Sequence, residues 1–405
     1  MRVRRSSKAM ENGIQTRHYG FIDYAKGIMI LIVILDHTNG VPFNFLPCVL
    51  ALFFVASGFT HNPGKRTVGE SIIRRFKGIM FPFWKYMAFV ALIFIPLRDL
   101  CLGIFSWMRF PQALEGMIWG STFSPFRITG YKPFYLLGQY IPEIDPTMKE
   151  EALSGTATPM WFLPAMFCAS VFFYALVDWC EKNGFRKAIA IIGLMLGCAL
   201  ERLVPALYQL PWGMGPGFMG AAFMLCGYWI KQADLLSDGG KPGARSWIVL
   251  AFSLAVYVVL AYFINPGVQA ISWSYYGPFG LLSIPLSLLI GVAGSFCFLF
   301  LCSFISRASS AGLKRLLKDS GKASLRTLCL HLPIINIIDA VPVLLFHIAI
   351  KPSTTDLMYL HLSGWVNSVY RICEGIVAII ICIQIDKAVD RAKKNRKAPA
   401  QMARA

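Results

Sequence analysis

Apolar runs recur along almost the entire chain, near 24–42, 46–60, 79–97, 160–178, 187–206, 213–230, 246–264, 281–302, 327–347 and 365–386. About 20 helical residues cross the hydrocarbon core of a bilayer, and without water every backbone N–H and C=O must be paired internally. The pattern therefore predicts an all-α polytopic membrane protein with about ten transmembrane helices. Several runs are short for a crossing, and 46–60 is the shortest. With 56% hydrophobic and 15% charged residues among 405, no stretch is left for a large separate soluble domain. The expected organisation is a basic N-terminus (1–23), a transmembrane domain (24–386) interrupted by a long outer loop (98–158), and a basic tail (387–405).

The net charge of +18 would suggest nucleic acid in a soluble protein, so its distribution matters. Segments 1–23, 61–78, 179–187, 231–246, 303–326 and 387–405 fall on one side of the predicted topology and carry 29 Lys and Arg; the opposite segments carry six, five of them in 98–158. By the positive-inside rule this puts both termini in the cytoplasm and makes the protein integral to the cytoplasmic (inner) membrane. Nucleic-acid binding would need the basic residues gathered on one module with stacking aromatics, and here they are spread over every cytoplasmic loop.

The N-terminus has basic residues before an apolar stretch, but no convincing small-residue cleavage site follows Ile34 to Gly40, so the first run reads as a retained helix. Eleven cysteines lie mostly inside or beside the runs without a Cys-x-x-Cys pair, which implies neither a disulfide framework nor a metal site. No internal repeat stands out, which argues against an inverted-repeat transporter without excluding one. The outer segment 98–158 holds Trp107, Trp119, Tyr131, Tyr135 and Tyr140 among Pro and Gly, and is expected to fold back on the membrane face as a lid or binding surface.

Chemistry concentrates in the first run. Lys26 and His37 are eleven residues apart, which at about 100° per residue puts them on nearly one helix face, roughly 16 Å apart along the axis. A histidine inside a span is costly and reads as functional by default, and neutral imidazole suits proton removal from a hydroxyl. Asp23 and Lys26 stand one turn apart at the rim, either as an ordinary helix-start pair or with Lys26 facing a phosphate or carboxylate. The following basic loop contains Lys65, Arg66, Arg74, Arg75 and Lys77. Membrane anchoring explains such a cluster, and so does a phosphate platform; with no Walker or Rossmann glycine pattern, a nucleotide would be held by side-chain charge. Asp339, Arg371 and Glu374 fall at depths comparable to His37 and are possible orienting or charge partners, the last two also reading as a helix-surface ion pair. His331 is expected within about two turns of the cytoplasmic end of its span, well short of the depth of His37.

The run Ile22 to His37 resembles the opening of the acyltransferase-3 family of integral membrane O-acyltransferases, in particular its fucose 4-O-acetylase-like branch. Phe53-Phe54-Val55-Ala56-Ser57-Gly58-Phe59, Arg74-Arg75-Phe76-Lys77 through Pro82, Met160 to Phe167, and Ser324 to His331 with Pro333 are similar to further family segments in the same order. The resemblance implies a ten-helix enzyme that moves an acyl group, acetyl being expected, from cytoplasmic acyl-CoA to a hydroxyl of a carbohydrate or lipid-linked glycan in the cell envelope. It implies His37 as general base, with Lys26, Arg74, Arg75 and Lys77 on the coenzyme phosphates. It implies no metal. Trp161 reads either as a wall residue of the donor path or as an interfacial aromatic. Lys26 stands where many members have arginine, and lysine cannot make arginine's bidentate contact. Two other readings stay open on the residues alone: a transporter or flippase of a lipid-linked sugar, and a non-catalytic relative that keeps the scaffold.

Overall fold

A computed structural model describes residues 19–38, 46–101, 107, 114, 117–118, 135–136, 139–140, 160–203, 211–236, 242–264, 279–308, 310–346, 350–352, 358–360 and 364–402. The helices in chain order are α1 (Gly20–His37), α2 (Val49–Phe59), α3 (Val68–Phe89), α4 (Ile95–Cys101), α5 (Phe162–Cys180), α6 (Gly184–Leu203), α7 (Met214–Gln232), α8 (Ala244–Val258), α9 (Ser283–Ala308), α10 (Ala311–Phe346) and α11 (Gly364–Met402). One π turn, Val90–Phe94, joins α3 to α4, and another extends α8 to Ile264. The described residues also hold two 3-10 turns, Pro211–Gly213 and Gly280–Leu282, and two short antiparallel pairs, β1 (Tyr135–Leu136) with β2 (Gln139–Tyr140) and β3 (Ile350–Pro352) with β4 (Met358–Leu360).

Each of the ten apolar runs overlaps a helix in the expected order. Among the described residues, five helical stretches are long and apolar enough to cross a membrane: Val68–Leu97, Phe162–Cys180, Ala244–Ile264, Gly280–Arg307 and Ala311–Val341. Helix α1 is not among them, because Asp23, Lys26 and Asp36 interrupt its apolar run. Around the bundle, large apolar side chains such as Ile248, Phe252 and Phe263 face outward. That is an aggregation hazard in water and the ordinary state of a lipid-facing surface.

Three boundaries differ from expectation. Helix α3 begins at Val68 rather than near 79, α10 at Ala311 rather than near 327, and α11 runs on to Met402 rather than ending near 386. The charged stretches flanking the apolar runs are themselves helical. Thr67 and Glu70 form a reciprocal capping box at the start of α3, and the Ser310 hydroxyl accepts from the Leu313 N–H (3.4 Å) at the start of α10.

Small residues let the helices touch backbone to backbone. Gly27 of α1 lies against the backbone of Leu317 and Gly321 in α10, and Gly321 lies against Asp23, so a Cβ at either glycine would collide with main chain. Because lipid tails are as apolar as the side chains, this close packing rather than hydrophobic burial drives association within a bilayer. Charged side chains then tie the bundle further: Lys387 of α11 pairs with Asp319 of α10 at 2.7 Å, while Arg326 pairs with Asp386 and donates to the Tyr86 hydroxyl at 3.0 Å.

Most of segment 98–158 lies outside the described residues. Two of its carbonyls are held from the bundle: Trp84 of α3 donates its indole N–H to Met117 O (2.9 Å), and Trp212, just before α7, donates to Ile118 O (3.0 Å). Trp212 sits at φ 60°, a backbone region that L-residues other than glycine seldom adopt, and its indole bond helps hold it there.

Candidate active site

Two polar regions stand out, linked by α1. The first is a cavity of about 450 Å³ between the end of α2, the start of α3 and α5, lined by Ser57, Lys65, Arg66, Arg74, Arg75, Tyr174 and neighbours. No Asp or Glu is among its lining residues. Arg75 is fixed in its wall, donating Nε to the Tyr174 hydroxyl (3.2 Å) and Nη2 to the Ser57 hydroxyl. His61 also lines the cavity, its ring packed among Phe173, Tyr174 and Tyr228 at 5.1–5.6 Å. Burial, reinforced by the nearby Lys231 ammonium, holds His61 below the usual histidine range. It is therefore neutral at pH 7, and the positive charge of the cavity comes from Lys65, Arg66, Arg74 and Arg75.

The local sequence shapes this cavity. Ser71, Arg74, Arg75, Gly78 and Ile79 line it, a spacing of three and four that defines one face of α3. Lys77 lies about 130° round the helix from the middle of that face and is exposed on the other side. Of the three α3 residues expected on the coenzyme phosphates, Arg74, Arg75 and Lys77, the cavity thus brings together two and leaves out the third. Pro82 has no N–H to give the carbonyl of Gly78 four residues before it, so a backbone acceptor is released at the cavity wall.

Lys26 of α1 is half-buried and interacts electrostatically with Asp23 and Arg75. From there α1 runs unbroken to its last residue, His37, so the roughly 16 Å separation and shared face hold along a real helix. Trp161, at the start of α5, is buried and meets Phe162 edge to face (6.1 Å). It is thirteen residues, or about 20 Å, along α5 from Tyr174 in the cavity wall, so it does not belong to the basic cavity.

The second region is the end of α1 with α10 and α11. His331 is here, contrary to the expectation that it falls well short of His37: the two imidazoles stack with centroids 5.1 Å apart at 28°. The reason is the earlier start of α10. With that helix beginning at Ala311, His331 is twenty residues in, about 30 Å along the axis. His331 is completely buried, and its Nδ1 lies 3.0 Å from Thr327 O. A carbonyl only accepts, so Nδ1 carries the proton and the neutral ring leaves Nε2 as an acceptor.

Asp339, Arg371 and Glu374 also come together. Arg371 Nη1 donates to Asp339 Oδ2 (2.9 Å) and Glu374 Oε2 (2.8 Å), and the Tyr370 hydroxyl donates to Asp339 Oδ1 (2.8 Å). The Arg371–Glu374 pair is not on a helix surface: all three charged residues are buried, joining α10 to α11. Gly375, next to Glu374, packs on Leu35 and Ile34, so the cluster backs the turn of α1 that ends at His37. The sequence placed all three at a depth comparable to His37, and the structure brings Asp339 of α10 onto the Arg371–Glu374 pair of α11. Among the described residues no group of His, Cys, Asp and Glu could hold a metal ion.

A cationic cavity toward one end of α1 and, at the other, a half-buried His37 stacked on a buried His331 lie inside a helical bundle whose outward-facing apolar surfaces fit a multi-pass membrane protein. The chain belongs to the acyltransferase-3 family, matching its acyltransferase domain over residues 19–385. It is thus a membrane acyltransferase. No curated protein and no solved structure matches it.

Proposed function

We propose that this protein transfers an acetyl group from cytoplasmic acetyl-CoA to a hydroxyl of a cell-envelope carbohydrate or lipid-linked glycan. The observation that carries the reading is an arrangement: a cavity whose charged lining residues are all cationic, Lys26 interacting with Arg75 of its wall, and one unbroken helix from Lys26 to His37. Phosphates of the coenzyme suit Arg74, Arg75 and the cations beside them, because charge-assisted bonds from guanidinium groups are strong and directional. The pantetheine arm would follow α1, bringing the thioester to the far end of that helix. Trp161, outside the cavity, would wall the deeper part of the path. Lys77 is left without a phosphate role.

In the reaction, the acceptor hydroxyl oxygen attacks the thioester carbonyl carbon while His37 takes the hydroxyl proton. The C–S bond then breaks, and the imidazolium returns the proton to the leaving thiolate, so ester and thiol are the products. Asp339, Arg371 and Glu374 would brace the end of α1 from behind, holding the base in register. The excess of Lys and Arg in one set of loops supports a cytoplasmic cavity and both termini on that side, with the acceptor reached from the outer face.

The test is incubation of the purified protein with radiolabelled acetyl-CoA and a cell-surface glycan fraction. Base-labile label on the glycan is expected. Donor binding without any transfer would overturn the acetyltransferase reading in favour of transport or a non-catalytic scaffold.

A further inference from the structure

His331 Nε2 is a buried acceptor with nothing bonded to it among the described residues. Its tautomer is held by the Nδ1 bond to Thr327 O, its ring is held against His37, and its helix is locked to α1 by the Gly27 and Gly321 contacts. A polar atom kept dry, oriented and unsatisfied costs free energy unless a ligand supplies the missing donor. It lies beside the imidazole assigned to the reacting hydroxyl. Neighbouring hydroxyl oxygens on a sugar ring are about as far apart as a hydrogen bond is long, so a vicinal diol can offer one hydroxyl to each ring.

We propose that His331 is a positioning and specificity-determining residue: its Nε2 accepts a hydrogen bond from the hydroxyl adjacent to the one that is acylated, selecting polyol acceptors with vicinal hydroxyls. The inference rests on the carbohydrate-acceptor reading above. No bond to the second hydroxyl forms or breaks in the reaction; it holds the sugar so that its neighbour meets the thioester. A site built to bond a hydroxyl discriminates strongly against an analogue that lacks it, because the buried acceptor is then left unpaired.

The experiment uses purified full-length protein, radiolabelled acetyl-CoA, and methyl glycosides of glucose, galactose, mannose and fucose, each beside its monodeoxy derivatives. For the unaltered protein, removing the hydroxyl next to the acetylated one is expected to lower kcat/KM about tenfold or more. In His331→Phe, which keeps a ring in the stack, and in His331→Ala, that difference collapses to within about twofold, while His331→Gln, which retains an acceptor, restores part of it. Unchanged discrimination in His331→Phe overturns the proposal. Loss of all transfer in every His331 variant with donor binding intact also overturns it, by making His331 the base. No transfer to any glycoside by the unaltered protein sinks the carbohydrate reading itself. Nitrogen-15 histidine NMR gives an acceptor-independent check: a proton on Nδ1 of His331 is expected, and a proton on Nε2 in the neutral ring contradicts the assignment.

Discussion

The cavity beside α3 and the stack at the end of α1 are both polar sites in an apolar protein, yet they are built in opposite ways. At the cavity, Lys65, Arg66 and Arg74 are exposed and only Arg75 is tied into the wall. At the stack, His331, Asp339, Arg371 and Glu374 are all buried and bonded within the bundle. An exposed cation pays little for its position and contributes modestly through screened attraction, whereas a buried polar group is costly to misplace. The lesson is a division of labour: the rim can tolerate substitution and grip by charge, while the interior must keep its geometry.

That contrast can be broken at four points. His37→Ala is expected to lower turnover by about a thousandfold, the scale of losing a positioned base, with acetyl-CoA binding nearly unchanged; weakened donor binding with turnover preserved would move His37 out of the chemistry. Asp339→Ala leaves Arg371 with one carboxylate fewer and is expected to cost about 3–5 kcal/mol of stability, read as earlier thermal unfolding in detergent. An unaltered melting curve would show that the cluster is not structural.

The rim should respond less. Arg75→Ala is expected to raise the KM for acetyl-CoA about tenfold, with the affinity of the unaltered protein falling as salt rises. An unchanged KM removes Arg75 from the donor site. Lys77→Ala, two residues away on the other side of α3, is expected to stay within about twofold, and an effect as large as that of Arg75→Ala would contradict the assigned cavity face.

Much of the scaffold was legible in the residues. Apolar runs located the helices in order, and the Lys26 to His37 spacing survives because both residues lie in one uninterrupted helix. The rest failed for identifiable reasons. Hydropathy marks where a chain is apolar, not where a helix starts, so the charged turns 68–78 and 311–326 read as loops although Thr67, Glu70 and Ser310 carried the N-terminal signals. Misplacing the start of α10 hid His331. Its contact with His37 bridges residues almost three hundred positions apart, and no local pattern reports such a pairing. Lys77 was grouped with Arg74 and Arg75 as a run of like charge, where the helical angle separates them.

The central claim is that one helix connects a cytoplasmic donor cavity to a reaction site reached from the outer face, and sealed membrane vesicles test it most directly. With radiolabelled acetyl-CoA supplied outside, inverted vesicles should place label on glycan enclosed within them, while right-side-out vesicles should leave external glycan unlabelled. Labelling by right-side-out vesicles alone would contradict the account.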